Sequence, residues 1–223
     1  MVDVAKNLLA IKAQLPEGVE LTAVSKFHPD EYITAAYNVG QRIFGESHEQ
    51  ELARKAASLP KDIHWHFIGH LQTNKVKYIA PYISMIESVD SIRLLREIEK
   101  QGARCGRRIR VLLELHIAEE ATKYGLTPDD CRSLLADGEW QQMEHVEICG
   151  LMMMASHTDD HDQIAREMDT AHSFFDEVRG KYFADQPSFR YRSWGMSDDY
   201  SIAIHHGSNM VRVGTAIFGE RVY

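Results

Sequence analysis

The chain has 223 residues, 44% hydrophobic and 26% charged, enough apolar content for the core of one large domain spanning 1–223. Its net charge of −8 excludes a general nucleic-acid binder, which needs a basic stripe to displace counterions. Three cysteines without CxxC spacing and a start, Met1-Val2-Asp3-Val4-Ala5-Lys6, without a long apolar run exclude a disulfide frame, a thiolate zinc site and a secretory leader; with no membrane-length apolar stretch either, the expected location is the cytoplasm.

A leading helix over Val2–Leu15 precedes a first strand at Leu21–Lys26. Apolar, β-branched runs then alternate with segments of helical period. The pattern predicts helix Asp30–Val39, strand Arg42–Gly45, helix Glu49–Ser58, strand His64–Gly69, strand Ile83–Val89 and helix Ser91–Gln101. It continues with strand Ile109–Ile117, helix Pro128–Ala136, strand Val146–Met154, helix Asp162–Lys181, strand Phe189–Gly195, helix Asp198–His206 and strand Asn209–Gly214. Pro29 and Pro128 suit a first helical turn, and Ser91 and Ser197 suit N-caps. The basic stretch from Arg104 to Arg110 reads as a solvated connection. Eight strands, each leading into a helix or a short helical candidate, predict a closed (β/α)8 TIM barrel in the α/β class. An open doubly wound sheet is the alternative, and no GxGxxG follows an early strand to support it.

In a parallel barrel, chemistry sits at the C-terminal ends of the strands. Strand one ends Ala23-Val24-Ser25-Lys26, and alternation places Thr22, Val24 and Lys26 on one face. If that face is the interior, desolvation disfavours the ammonium and frees the Lys26 amine to attack an aldehyde. A strand-end lysine snorkelling to water is the plainer reading of this segment alone. Strand seven runs into Gly195-Met196-Ser197 and strand eight into Gly214-Thr215, the loops from which barrels build phosphate sites. Ser197 and Thr215 offer hydroxyls and amides, and Gly214 allows close backbone approach. Asp198 and Asp199 would repel a phosphate and should point outward. If Val211 and Val213 pack on the helices, Arg212 between them points inward and needs a partner: a ligand ring nitrogen, or a carboxylate such as Glu46 or Glu114. Because arginine stays protonated, it can only donate, so that nitrogen stays unprotonated and is a poor electron sink.

Together, Ala23-Val24-Ser25-Lys26, Phe44-Gly45-Glu46, Trp65-His66-Phe67-Ile68-Gly69 with Leu71-Gln72 and Asn74-Lys75, Gly150-Leu151-Met152, Gly195-Met196-Ser197, and Val211-Arg212-x-Gly214 to Ile217-Phe218-Gly219 resemble the pyridoxal phosphate homeostasis protein family. The resemblance runs from about Leu21 to Arg221. It implies a type III PLP fold like the alanine racemase N-terminal domain, without a second domain, and pyridoxal 5′-phosphate (PLP) as a Schiff base on Lys26. It implies phosphate held around Ser197, Gly214 and Thr215, Arg212 toward the pyridine nitrogen, and Ser193 and Met196 among the cofactor-binding residues. It further implies a monomer that holds PLP and serves vitamin B6 and amino-acid homeostasis, with apo PLP-enzymes as possible recipients and no established reaction. Ser47 departs from the family's usual Asn, and Arg192-Ser193-Trp194 from Leu-Ser-Met, so Trp194 is a candidate to repack the pocket wall.

A PLP-dependent amino-acid racemase is the enzymatic alternative. It needs a second base opposite Lys26, supplied in alanine racemases by a tyrosine of a further domain. A metal hydrolase would use His64 and His66, on one face of strand three; no later strand supplies a clear remaining ligand set. The segment Gln72-Thr73-Asn74-Lys75 is expected at the rim, with Thr73 as a cap for the next helix.

Overall fold

The computed structural model describes residues 2–117 and 124–220. Arg221 at the end of the family motif lies outside the described residues. Helix α1 (Val4–Lys12) leads into eight βα units: β1 (Glu20–Val24), α2 (Asp30–Asn38), β2 (Ile43–Glu46), α3 (Glu49–Ser58), β3 (His64–Phe67), α4 (Val76–Ile79), β4 (Met85–Val89) and α5 (Ile92–Cys105). Then come β5 (Ile109–Leu115), α6 (Pro128–Asp137), β6 (Val146–Met153), α7 (His161–Tyr182), β7 (Tyr191–Ser193), α8 (Tyr200–His205), β8 (Met210–Val213) and α9 (Thr215–Phe218). The strands form one closed, all-parallel barrel in chain order. Closure is set by Leu21, Thr22 and Ala23 of β1 pairing with Val211, Arg212 and Val213 of β8.

Two apolar cores follow from the alternation of strand residues. Outward-facing side chains such as Ala23, Phe44, Trp65, Val111, Leu151 and Val213 pack against the helices in the main core. Inside the barrel, Met85, Leu112, Cys149, Met152, Tyr191 and Met210 fill a second cluster. Two residues further along three of these strands stand Glu87, Ser193 and Arg212, and two further again on β7 and β8 stand Gly195 and Gly214. Along β7 and β8 the interior therefore passes from apolar, to polar or charged, to glycine toward the C-terminal end, which is left open on that side.

Local chemistry fixes the boundaries. The Ser91 hydroxyl accepts from the Leu94 amide and starts α5, and Gly106, left-handed at φ 62°, ends it. The predicted solvated connection in the basic stretch is thus the last turn of α5, this glycine cap and the first residues of β5. Pro128 occupies the first turn of α6. Four expectations are corrected. Strand β1 stops at Val24, leaving Ser25 and Lys26 beyond it. Ser197 caps no helix, because α8 starts only at Tyr200 after Asp199. Thr73 opens a 3-10 turn (Thr73–Lys75) rather than capping α4. Trp194 faces the helices, with its indole near the His172 ring, so it does not wall the pocket.

Candidate functional site

The backbone around Lys26 is held from outside the barrel. Lys55 of α3, fully buried, donates to the Ser25 carbonyl at 2.8 Å, to Glu46 at 2.8 Å and to Glu51 at 2.7 Å. Glu51 in turn accepts from the Phe27 amide at 2.8 Å, and the Ser25 hydroxyl donates to Glu46 at 2.6 Å. The peptide groups on both sides of Lys26 are therefore tied to one buried ammonium and its two carboxylates. Phe27 is held in the left-handed region at φ 65°, a conformation a bulky residue adopts only when its surroundings enforce it. This turn delivers Lys26 to the open end of the barrel.

There Lys26, Arg212, Ser197, Gly214, Thr215 and Met196 line a single cavity of about 180 Å³. The Ser197 hydroxyl accepts from the Gly214 amide at 3.2 Å, tying the loop after β7 to the turn after β8. A Cβ at Gly214 would sit 3.3 Å from Val24, so the close strand approach needs the missing side chain. Asp198 is exposed, yet it lines this cavity, against the expectation that it points away from a phosphate. Asp199 is buried, against expectation, because its carboxylate folds back to accept from the Met196 amide at 2.5 Å and closes the loop.

Beneath the cavity, Arg212 donates to the Ser193 carbonyl at 2.7 Å, to the Ser193 hydroxyl at 2.6 Å and to the Met153 carbonyl at 2.9 Å. Its interior carboxylate is Glu87 at 3.9 Å, rather than Glu46 or Glu114. Ser193 donates to Glu87 at 2.6 Å, and the opposite Glu87 oxygen meets His66 Nδ1 at 2.7 Å. Burial opposes the Glu87 charge, but His66, Arg212 and Ser193 outweigh it and hold the carboxyl below its usual range. Burial also lowers the Arg212 pKa, against the charges of Glu87, Asp199 and Glu114. Ser193 thus sits one layer under the cavity and fixes Arg212 rather than lining the space. His66 is committed to Glu87, and His64 is exposed at the strand's far end.

A second compartment of about 400 Å³ shares Lys26, Ile68 and Met154 with the first. Ser47 lines this compartment and not the smaller one, as do Gln72 and Lys75 of the predicted rim segment. So does Glu114, whose carboxyl is pushed up to about 7 by burial and by the charge of Asp90.

Sequence reasoning placed Lys26, Arg212, Ser197, Gly214, Thr215 and Met196 at the barrel mouth, and the structure brings them to one cavity. It missed Glu87, Lys55 and Glu51. Glu87 carried a signal: a lone charge in the apolar strand Met85-Ile86-Glu87-Ser88-Val89, inward like Arg212 and in need of an opposite partner.

The alanine racemase N-terminal domain family matches residues 2–222 of this chain. Among curated relatives, the pyridoxal phosphate homeostasis protein of Pasteurella multocida (strain Pm70) is 35% identical, over 95% of this chain and 91% of its own. The Homo sapiens protein of that name is 36% identical, over 91% of this chain and 77% of its own. Among solved structures, PipY of Synechococcus elongatus PCC7942, a COG0325 family member solved with PLP bound, superposes with a TM-score of 0.87 at 34% identity, covering 97% of this chain and 100% of that one. Alanine racemase from Streptomyces coelicolor A3(2) matches with a TM-score of 0.79 at 19% identity, over 97% of this chain and 58% of its own, a likeness of fold alone.

Proposed function

The chain belongs to the alanine racemase N-terminal domain family and, within it, to the pyridoxal phosphate homeostasis proteins, and from that premise we propose that it holds PLP as a Schiff base on Lys26. The observation that carries this reading is the convergence of an amine, a guanidinium and a hydroxyl–amide pair on one cavity. The cofactor contributes an aldehyde that a neutral amine can capture, and a phosphate that needs donors.

The residues present fit that group. Ser197 keeps its own proton to donate, since its oxygen already accepts from Gly214. The missing side chain at Gly214 keeps the backbone open to a phosphate, with Thr215 adjoining, while Met196 covers one side. Arg212 faces the cavity from a fixed position, because Ser193 and Met153 consume part of its donor set. Its remaining donors suit an acceptor nitrogen, and the guanidinium has no lone pair with which to accept. The buried Glu87 carboxylate beneath it compensates the guanidinium from within the fold.

The cellular role that follows is to hold PLP and keep it and amino-acid pools in balance, with release to apo-enzymes as the route outward. We assign no committed reaction, in line with relatives named as homeostasis proteins and not as racemases. A monomer in the cytoplasm completes the proposal; among the described residues no helix is long and apolar enough to cross a membrane. Borohydride reduction of the PLP-loaded protein followed by peptide mass spectrometry should place the pyridoxyl group on Lys26. Lys26→Ala should lose both the adduct and the imine absorbance with its thermal unfolding preserved. A reducible adduct that persists on another lysine would overturn the assignment.

A further inference from the structure

The 400 Å³ compartment contains one group that the fold leaves unanswered. Glu114 is 3% exposed, and its carboxyl makes no side-chain hydrogen bond or ion pair among the described residues. A buried carboxyl is costly without a donor, and the fold elsewhere gives Glu46 a partner in Lys55, although its second oxygen has none among the described residues, and gives Glu87 partners in His66 and Ser193. Three other titratable groups of the compartment, Glu49, Lys75 and His70, are already paired. Lys75 pairs with Glu49 at 2.6 Å, and His70 pairs with Asp90 at 3.3 Å while stacking on Tyr124 at 4.0 Å. Neither cation is spare for a ligand carboxylate. Ile68, Leu71 and Met154 supply apolar wall.

We propose that this compartment binds a small primary alkylamine, whose ammonium donates to Glu114 and whose alkyl part packs on Ile68, Leu71 and Met154. The compartment shares Lys26 with the cofactor cavity, so the amine is held beside the lysine that carries PLP; in this respect the inference rests on the reading above. An ammonium supplies the donors that Glu114 lacks, and a charge-assisted bond in a partly dry site is stronger than one between neutral groups. An alcohol could supply one proton but no charge. An amino acid would bring a carboxylate toward Glu49 and Glu114 with neither Lys75 nor His70 spare to receive it. The ligand class is therefore set by one acid without a donor among the described residues, beside a Glu49–Lys75 pair that is already closed on itself.

The test uses the PLP-loaded protein after borohydride reduction, which fixes the pyridoxyl group on Lys26 and blocks covalent exchange. Calorimetric titration with propylamine, 1-propanol and L-alanine then reads the compartment alone. Propylamine should bind about tenfold more tightly than 1-propanol, the difference expected of a charge-assisted bond. Glu114→Gln should reduce propylamine to the level of the alcohol. Equal affinities for amine and alcohol in the wild-type protein, tighter binding of alanine than of propylamine, or an undiminished Glu114→Gln variant would each overturn the proposal. The wild-type comparison needs no variant to fold. Mass spectrometry of the reduced protein separates the two failures: pyridoxyl absent from Lys26 sinks the cofactor reading, whereas pyridoxyl present without amine preference sinks only this one.

Discussion

Lys55 is sealed from water, and its three donors are all spent on Ser25, Glu46 and Glu51. Removing the ammonium leaves Glu46 buried without its cation, so Lys55→Met should destabilise the protein by about 3–5 kcal/mol in urea titration. Glu51→Ala should act differently, because Glu51 is partly exposed and its loss frees the Phe27 amide instead. Its expected signature is a several-fold fall in PLP attached to Lys26 on borohydride reduction, with a small change in urea midpoint. Ser197→Ala removes the tie to Gly214 and should weaken PLP retention by about 1–3 kcal/mol in equilibrium dialysis. These residues differ in how visible they were beforehand. Arg212 stood out because strand alternation sends a charge into an apolar interior, and Lys26 did so only beside the motifs of the last two strands. Lys55 did not: Glu51 and Lys55, four apart on a polar helix, read as an ordinary surface pair until α3 packs against the end of β1.

At the scale of elements, β5 and β6 slip register between Val111 and Leu112, where Gly150 enters opposite Leu112. A Cβ on Gly150 would overlap the Tyr191 carbonyl of β7, and backbone cannot yield as a side-chain tip can. Gly150→Ala should therefore prevent barrel closure, seen as loss of soluble protein or of the cooperative unfolding transition. Gly40→Ala, at an open turn with nothing near, should cost far less. All eight strands were legible, the second and seventh least firmly, because Ile43-Phe44-Gly45-Glu46 and Tyr191-Arg192-Ser193 are short and poor in β-branched residues. The four-residue helices α4 and α9 were not, since one turn is too short to show a helical period. The start of α8 was misread for a related reason. Ser197 has the chemistry of a cap, but its hydroxyl is taken by the Gly214 amide, from the turn after β8.

Across the whole molecule, two buried carboxyls act together. Glu46 is pushed up to about 6, by burial against the pull of Lys55, and Glu114 to about 7, by burial and Asp90. Both pKa values lie above the unfolded value, so between that value and the raised ones the folded chain binds more protons. Their contribution is full below about pH 4.3 and is lost as pH rises through about 6 and then about 7, on the order of 3 kcal/mol for Glu114. Glu87 and Glu99, held low, work in the opposite direction on the acid side. Urea midpoints across pH 5 to 8 should fall, and Glu114→Gln should flatten the upper part of that fall. A midpoint that climbs steadily over this range would contradict the burial assigned to both groups.

The graded interior described for β7 and β8 bears on traffic. Met85, Leu112, Met152, Tyr191 and Met210 stopper the barrel at one end. A small molecule must therefore come and go through the same doorway, the rim where Lys26, Met196 and Ser197 sit. Residence time of a bound cofactor then belongs to that rim. Stiffening the Gly195–Asp199 loop should slow its exit, while enlarging a methionine of the stopper should change the melting temperature and leave the off-rate alone.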